Sequence, residues 1–470
     1  MSQPTDSPLA RPRIVVVGTG PAGVRAAQAL VQAGLRPTVV DEGRRDGGQI
    51  YRRQPEGFTR PYAKLYGTEA TKAQALHHDF DMLRDQVDYR PDTLAWNVTA
   101  GALHVVSAGE PSTLPFDALL VCAGATDRLM PVPGWQHAGA YSLGAAQIAL
   151  KSQACAIGSS VVFLGSGPLL YLVASQYVQA GARVVAVLDT APAAKSWRAL
   201  GGLLARPRLA LRGLGLMRGL RAAGVPVLQG VAPVAIEGDA AQGVQAVKVR
   251  DAQGHGQRFV CDAVGLGWHL RAETQLADLA RCDFAFEPVS RQWLPRIDAD
   301  GRSSVAGVYL AGDGARILGA DGAEASGRLA ALAALADLGH APGQARYAAE
   351  STPLRRTLGQ MERFRQGLAR AFPWPHAQAA ALPDSAVVCR CEAVTAGELR
   401  RCVSELGSQE VNRAKAFSRV GMGRCQGRFC GHASAEIVAQ ACRIPVEQVG
   451  RLRSQAPVKP LMMDTREVQA

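Results

Sequence analysis

Four cysteines near the C-terminus have the types and spacing to do chemistry: Cys389 and Cys391 as C-x-C, then Cys425 and Cys430 as C-x4-C. Four thiolates in two tight pairs, brought together by one helical segment, can hold iron or zinc. Zinc sites usually space each pair by about two to four residues, so C-x-C suits zinc less well. Four is the ligand number of a [2Fe-2S] centre, which moves single electrons. Gly421, Gly423, Gly427 and Gly431 let backbone N–H groups turn towards sulfur, and Arg390, Arg424 and Arg428 can offset a negative cluster. His432 is expected behind the ligands at most, and Cys402 in the core of the helix between the pairs.

A second chemistry lies at the other end. Ile14-Val15-Val16-Val17 reads as a buried strand, Gly18-Thr19-Gly20-Pro21-Ala22-Gly23 as a turn, and the following apolar run through Ala33 as a helix. Another strand, Thr38-Val39-Val40, ends at Asp41-Glu42. This is G-x-G-x-x-G in strand–turn–helix context. Gly18 permits the tight turn, Gly20 lets a pyrophosphate reach the backbone, and Gly23 lets helix and strand pack closely. The helix start at Pro21 and Ala22 offers free N–H groups and a partial positive charge to phosphate. Asp41 is placed to accept hydrogen bonds from the adenosine ribose, with Glu42 as the alternative. The fingerprint reads only the ADP half, so by itself it leaves FAD, NAD and other adenine nucleotides open.

The motif recurs. Val161-Val162-Phe163-Leu164 leads into Gly165-Ser166-Gly167-Pro168-Leu169-Leu170, and a strand from Val184 to Leu188 ends at Asp189. Leu170 stands where a third glycine should be, which argues against a working pyrophosphate cradle, and Asp189 disfavours a 2′-phosphate. The runs 118–125 and 262–267 read as strands closing each unit. The expectation is an α/β chain of two Rossmann-like units, the second inserted in the first, followed by a small helical module. Its boundaries are 13–130 with 271–340 for the first unit, 131–270 for the second, 341–383 for a helical linker, 384–455 for the cysteine module and 456–470 for a tail. Thr395-Ala396-Gly397-Glu398 is a capping box, a second helix should begin near Ser434, and Pro457 and Pro460 open an extended tail lying across another domain or a partner.

Several segments resemble known families. Val387-Val388-Cys389-Arg390-Cys391-Glu392 and the run from Gly423 to Gly431 resemble the [2Fe-2S] domain of the bacterioferritin-associated ferredoxin (BFD) type. Gly47-Gly48-Gln49 resembles the G-G-Q turn of flavoprotein reductases, implying that Gly48 and Gln49 serve FAD. Val308-Tyr309-Leu310-Ala311-Gly312-Asp313-Gly314 resembles the second flavin motif. That likeness implies Gly312 and Asp313 at the flavin, Asp313 on the ribityl chain, against the alternative of a helix N-cap. Gly124, at the end of a closing strand, joins this set. Two nucleotide units resemble the two-dinucleotide-binding-domain flavoproteins, whose inserted unit binds NAD(P)H; Leu170 leaves NAD(H) here doubtful. Over nearly its full length the chain is similar to the alpha subunits of bacterial hetero-oligomeric flavin dehydrogenases. That group holds D-hydroxyproline dehydrogenase, dye-linked L-proline dehydrogenase, and the corresponding chains of opine oxidase and hydrogen cyanide synthase. The resemblance implies FAD, a [2Fe-2S] cluster, a flavoprotein beta subunit that oxidises a C–N bond of a small amino or imino acid, and in some complexes a small ferredoxin-like subunit.

Composition bounds these expectations. With 470 residues, 47% hydrophobic and 20% charged, the chain has room for two to four domains with ample core. Met1 to Arg13 lacks the apolar stretch of a secretory signal. Ten cysteines without an export signal suggest a reducing, cytoplasmic compartment, with the inner membrane face as a peripheral alternative. Cys122, Cys155, Cys261, Cys282, Cys402 and Cys442 read as structural thiols, and no C-x-x-C occurs, which argues against a dithiol–disulfide reductase. Ser152 to Ala182 has no charge, but Gly165-Ser166-Gly167-Pro168 breaks it, so a strand, turn and helix fit better than a membrane span. The net charge is +12, and Thr190 to Ile236 holds seven basic residues and no acid. Apolar rows there, Trp197, Leu200 and Leu204 on one and Leu209, Leu216, Met217 and Leu220 on another, read as a packed helical excursion with a solvated arginine face, or as a dock for an acidic partner or membrane surface. No nucleic-acid motif accompanies the charge.

The sequence gives no catalytic residue. His77, His78 and His269 have no recognisable partner and are expected to be structural. The leading expectation is an oxidoreductase subunit relaying electrons. The alternatives are a stand-alone NADH-dependent flavin/iron–sulfur reductase and a non-catalytic iron–sulfur partner with an inert nucleotide fold.

Overall fold

The computed structural model describes residues 11–192, 197–340 and 343–461, without the side chains of residues 197 and 198. Most of the Met1–Arg13 segment, the side chain of Trp197 and the tail beyond residue 461 therefore lie outside the described residues.

The short apolar runs become parallel strands buried on both faces, the pattern such sheets require. One sheet has the order Val308–Leu310, Ala118–Val121, Ile14–Val17, Thr38–Val40, Asp88–Arg90, all parallel. A second has the order Val227–Gln229, Arg183–Asp189, Ser160–Ser166, Ala263–Trp268, Ala140–Ser142, also parallel. Every strand of the second sheet falls in sequence between Ala118–Val121 and Val308–Leu310 of the first, so the second unit is inserted in the first. Each unit also carries a three-stranded antiparallel sheet, spanning 93–115 and 232–260.

The helix Pro21–Gln32 lies against its strand and against the helix Gly319–Asp337 with no room for side chains at the contacts. A Cβ on Gly23 would stand 1.7 Å from the Gly18 carbonyl oxygen, and one on Gly327 would stand 2.0 Å from that of Ala22. Beyond the first unit runs the linker helix Gln344–Ala371, followed by the short helix His376–Ala380.

The cysteine module has the helices Ala396–Ser404, Val411–Ser418, Gly431–Cys442 and Val446–Val449. The capping box forms: Thr395 Oγ1 accepts from the Glu398 N–H and a Glu398 carboxylate oxygen accepts from the Thr395 N–H, at 3.3 and 2.7 Å. The module is not wholly helical. Val387–Cys389 pairs with Val394–Thr395 as a short antiparallel ladder, because the β-branched run before Cys389 takes extended backbone. One apolar core joins this module to the inserted unit, with Trp135, Val162, Leu164 and Trp268 in the same cluster as Val388, Cys389 and Ile437.

The basic segment folds as Trp197–Leu203 and Pro207–Ala222. Leu216, Met217 and Leu220 pack inward as expected of a packed excursion. Leu200 and Leu204 do not: they are 54% and 69% exposed, because the helix turns its glycine side, at Gly202, towards Gly367 of the linker helix.

Candidate functional site

The first fingerprint forms a tight pocket of backbone. Gly18 has φ +98°, and a Cβ there would stand 2.5 Å from the Cys122 carbonyl oxygen, so only glycine fits. The turn at Gly48, φ +60°, closes over it: a Cβ on Gly48 would lie 2.8 Å from Gly20 Cα, and the Gly47 N–H donates to the Thr19 carbonyl at 2.9 Å. At Gly20 a Cβ would meet only Gly48 Cα, at 3.6 Å. Gln49 lies on the rim, accepting from Arg52. Asp41 follows Thr38–Val40, and its carboxylate accepts from the Thr19 N–H (2.5 Å), the Thr19 hydroxyl (2.6 Å) and the Gly43 N–H (2.6 Å). Burial raises its pKa against those bonds. Glu42 is half-exposed and pairs with Lys459 of the tail.

The second flavin-type motif also closes on this loop. Gly312 has φ +67°, and a Cβ there would meet the Ala22 Cβ at 2.8 Å. Asp313 is not the N-cap of the following helix, which is Leu318, but its Oδ1 accepts from the Leu318 and Gly319 N–H groups at the helix start, at 2.8 and 3.0 Å. Burial pushes this carboxyl up to about 6. Gly124, φ +72°, presents its backbone beside Gly314 and accepts from the Glu273 N–H at 3.0 Å.

The four cysteines come together as a chain of contacts, Cys389 to Cys430, Cys430 to Cys425 and Cys425 to Cys391. Among the described residues no three His, Cys, Asp or Glu side chains gather round one point as ligands of a single ion. Cys389 is pushed down to about 6 by hydrogen bonding with Cys430, aided by the Gly421 and Glu392 N–H groups and opposed by burial. Cys425 falls to about 5, again through Cys430 first and then, against burial, through the Phe429, Cys391 and Gly427 groups. Cys430 bears the opposite shift, upward, because its neighbours compete for charge. Gly421 and Gly427 thus supply the N–H···S bonds expected of the glycines, at φ +76° and +77°.

The arginines are arranged differently from the expectation. Arg390 lies over the Trp135 and Phe429 rings, 5.0 and 5.6 Å from their centroids, and Arg424 is exposed. The buried cation that faces Cys425 and Cys430 is Arg271, with Lys415 also near Cys430; sequence reasoning missed both. Arg428, inside the C-x4-C loop, donates to Glu273 at 2.7 and 3.2 Å and to the Val458 carbonyl of the tail at 2.7 Å. Gln275 Nε2 donates to the Gln426 carbonyl at 2.8 Å. The loop bearing two cysteines therefore rests on segment 271–275, which is bonded to Gly124.

The crevice of the second unit is filled by protein. Ligands of such sheets bind beyond the carboxyl ends of the strands. There the buried Trp268 donates its indole N–H to Thr190 Oγ1 at 2.9 Å. His269 stands against Gly167 and bonds the Phe372 carbonyl at 2.7 Å, and the Phe372 ring packs on it and on Tyr171. Asp189 is fully buried, accepting from the Tyr171 hydroxyl at 2.5 Å, and its pKa rises to about 6 through burial. Leu170 packs wholly into the core. His77 is structural as expected, bonded to the Tyr51 carbonyl and the Tyr62 hydroxyl.

Residues 12–334 match the family described as pyridine nucleotide-disulphide oxidoreductase. The chain belongs to that family. Residues 387–440 match the BFD-like [2Fe-2S] binding domain. The A-type subunit of opine oxidase from Agrobacterium tumefaciens (strain Ach5) is 39% identical over 96% of this chain and 90% of its own length. Hydrogen cyanide synthase subunit HcnB of Pseudomonas protegens is 31% identical over 95% of this chain and 96% of its own length. In fold, the chain is similar to L-proline dehydrogenase from P. horikoshii, at 17% identity and a TM-score of 0.66 over 97% of this chain and 79% of that one. The protein is a flavin oxidoreductase with FAD and a [2Fe-2S] cluster as its cofactors. The residues fit both groups: Gly18 and Gly23 admit no side chain while Gly20 leaves the backbone open between them, and Cys389 and Cys425 are held towards thiolate by Cys430 first and then by backbone N–H donors. FAD supplies two-electron chemistry and the cluster one-electron chemistry. Among the described residues no helix is long and apolar enough to cross a membrane.

Proposed function

We propose that this chain is the electron-relaying subunit of an amino- or imino-acid dehydrogenase complex of hydroxyproline or opine type. A flavoprotein beta subunit oxidises the C–N bond, with a small ferredoxin-like subunit as a further member. The residues that hold the nucleotide are Gly18, Gly20, Pro21, Ala22, Gly23, Asp41, Gly48, Gln49, Gly124, Gly312 and Asp313, and Cys389, Cys391, Cys425 and Cys430 hold the cluster. The observation that carries this reading is the seating of the C-x4-C loop on segment 271–275, itself bonded to Gly124. Its largely buried Arg428–Glu273 pair, joined by two bonds, holds the module against the flavin unit. The similarity to the opine oxidase chain over nearly the whole length supports the substrate class. The compartment is the cytoplasm, and the domain limits are those read from the sequence.

The alternative, a stand-alone NADH reductase, is disfavoured by Trp268, His269 and Phe372 in the second crevice and by Asp189, whose carboxylate is occupied by Tyr171. Anaerobic mixing with NADH, followed at the flavin absorbance, tests the choice. The expected result is no bleaching at a useful rate by NADH, and bleaching by the amino- or imino-acid substrate when the beta subunit is present. Rapid bleaching by NADH alone refutes it.

A further inference from the structure

Helices Trp197–Leu203 and Pro207–Ala222 are held firmly on their inner sides. A Cβ on Gly202 would stand 2.7 Å from Gly367 Cα, Arg206 pairs with Asp321 at 2.9 Å, and Arg212 pairs with Glu69. Their outer sides carry apolar residues that nothing among the described residues covers: Leu200 and Leu204 as above, Leu211 at 66% and Leu214 at 36% exposure. Exposed apolar residues grouped in this way mark interaction sites.

An independent observation comes from glycine. Gly215 and Gly219 sit one turn apart inside Pro207–Ala222, both exposed, and a Cβ on either would meet nothing within 4 Å. Glycine inside a helix is less stable than alanine, and among the described residues no contact or backbone angle requires it here. Without a Cβ, both positions leave the helix backbone open to close approach from outside the chain. Arg208, Leu211, Gly215 and Gly219 follow one another at steps of three and four residues, with Leu214 and Arg218 beside them, so they share one side.

We propose that this face docks an apolar helix with acidic flanks belonging to the partner flavoprotein subunit. The inference rests on the subunit reading above. Arg206 and Arg212 take their carboxylates from Asp321 and Glu69 on the inner side, whereas Arg208 and Arg218 on the outer side make no ion pair among the described residues, so a complement that brings carboxylates fits them. Leu211 and Leu214 stand between Arg208 and Arg218 on this side, the apolar and basic mixture that protein interfaces carry. A helix lying in a bilayer surface instead sorts apolar and charged residues to opposite faces.

The test is the double variant Gly215→Leu/Gly219→Leu, with Arg208→Glu/Arg218→Glu as a second. Because the glycine sites are open, the first variant should fold with unchanged flavin and iron content and a melting temperature no lower than the parent. Binding is measured by sedimentation against the beta flavoprotein subunit that co-purifies with the parent chain, its identity fixed by mass spectrometry. Both variants should bind at least tenfold more weakly. Unchanged affinity in both overturns this proposal and leaves the subunit reading standing; a parent chain that binds no such subunit overturns both. Pelleting of the parent with phosphatidylglycerol vesicles but not phosphatidylcholine vesicles, abolished in the variants, assigns the face to a membrane and overturns it as well.

Discussion

Replacing Glu273 by Gln removes the carboxylate from a buried group that also holds Arg271 and Arg428. The Arg428 and Glu273 side chains are only 8% and 11% exposed, and the pair makes two bonds, so solvent screens it little. Removing one partner from such a pair costs about 3–5 kcal/mol, because the other charge stays buried without compensation. At about 1.4 kcal/mol per decade, the equilibrium that seats the module on segment 271–275 shifts by roughly two to four decades. The module should therefore leave the flavin unit while keeping its iron. Limited proteolysis of the 372–386 connection should speed up, and anaerobic stopped-flow with freeze-quench EPR should show reduced flavin accumulating before the cluster signal. Adding Arg428→Met should restore much of the seating, since apolar replacement of both partners of a buried pair is often neutral. The pH dependence has a definite sign. The neighbouring arginines hold the Glu273 carboxyl below its usual 4.5 although burial opposes them. Its contribution is thus complete above the unfolded value and is lost as pH falls through the lower folded one. If the single variant transfers electrons at the parent rate and resists protease equally, the ion pair does not seat the module.

Other substitutions separate the sites. Cys425→Ser should abolish the cluster's visible absorption and most of the iron while flavin content stays at parent level; unchanged iron counts against the ligand assignment. Gly20→Val should release the nucleotide without unfolding the chain, because its Cβ has 3.6 Å to Gly48 and only the added methyls intrude; a fully loaded holoprotein contradicts the cradle. Asp189→Asn should flatten a pH dependence of stability. The folded value of about 6 lies above the ordinary 3.8, so the group's contribution is complete below that lower value and is lost as pH rises through 6. The loss is on the order of 2–3 kcal/mol, and thermal melts from pH 4 to 7 read it directly.

The nested fold was legible because its signals are local. Apolar runs such as Ile14–Val17 and Ser160–Ser166 are continuous, and each meets a glycine turn that only one geometry satisfies. The coming together of Cys389, Cys391, Cys425 and Cys430 was legible from spacing, and Thr395 with Glu398 from a four-residue capping pattern. The seam between the cofactors was not. Glu273 and Arg428 lie 155 positions apart, and neither stands in a motif that names the other. Arg271 carries no local sign that it will face two thiols. The departure from the fingerprint at Leu170 was visible in the sequence, but the residues that stand in the crevice were not, since Phe372 arrives from the linker, 103 positions after His269.

That filled crevice changes what the inserted unit does. Trp135 donates its indole N–H to the Val387 carbonyl at 2.6 Å, and Arg390 of the C-x-C pair lies over the same ring. The inserted unit's core continues without a break into the core beneath Cys389 and Cys430. On the opposite side the module meets the first unit through polar contacts, Arg428 with Glu273, Arg451 with Asp278 at 2.7 Å, and Arg291 with Glu436 at 2.7 Å. Apolar burial is not directional, whereas paired charges fix register. The inserted unit therefore supplies adhesion and the flavin unit supplies alignment. Trp135→Phe tests this division: it leaves a small cavity under the module and loses one hydrogen bond to Val387, so stability should drop by about 1–3 kcal/mol with alignment intact. Glu273→Gln should lower stability as well, by the roughly 3–5 kcal/mol above, and unlike Trp135→Phe it should also slow electron transfer. Equal effects of the two substitutions on both readouts would mean that the two interfaces act as one.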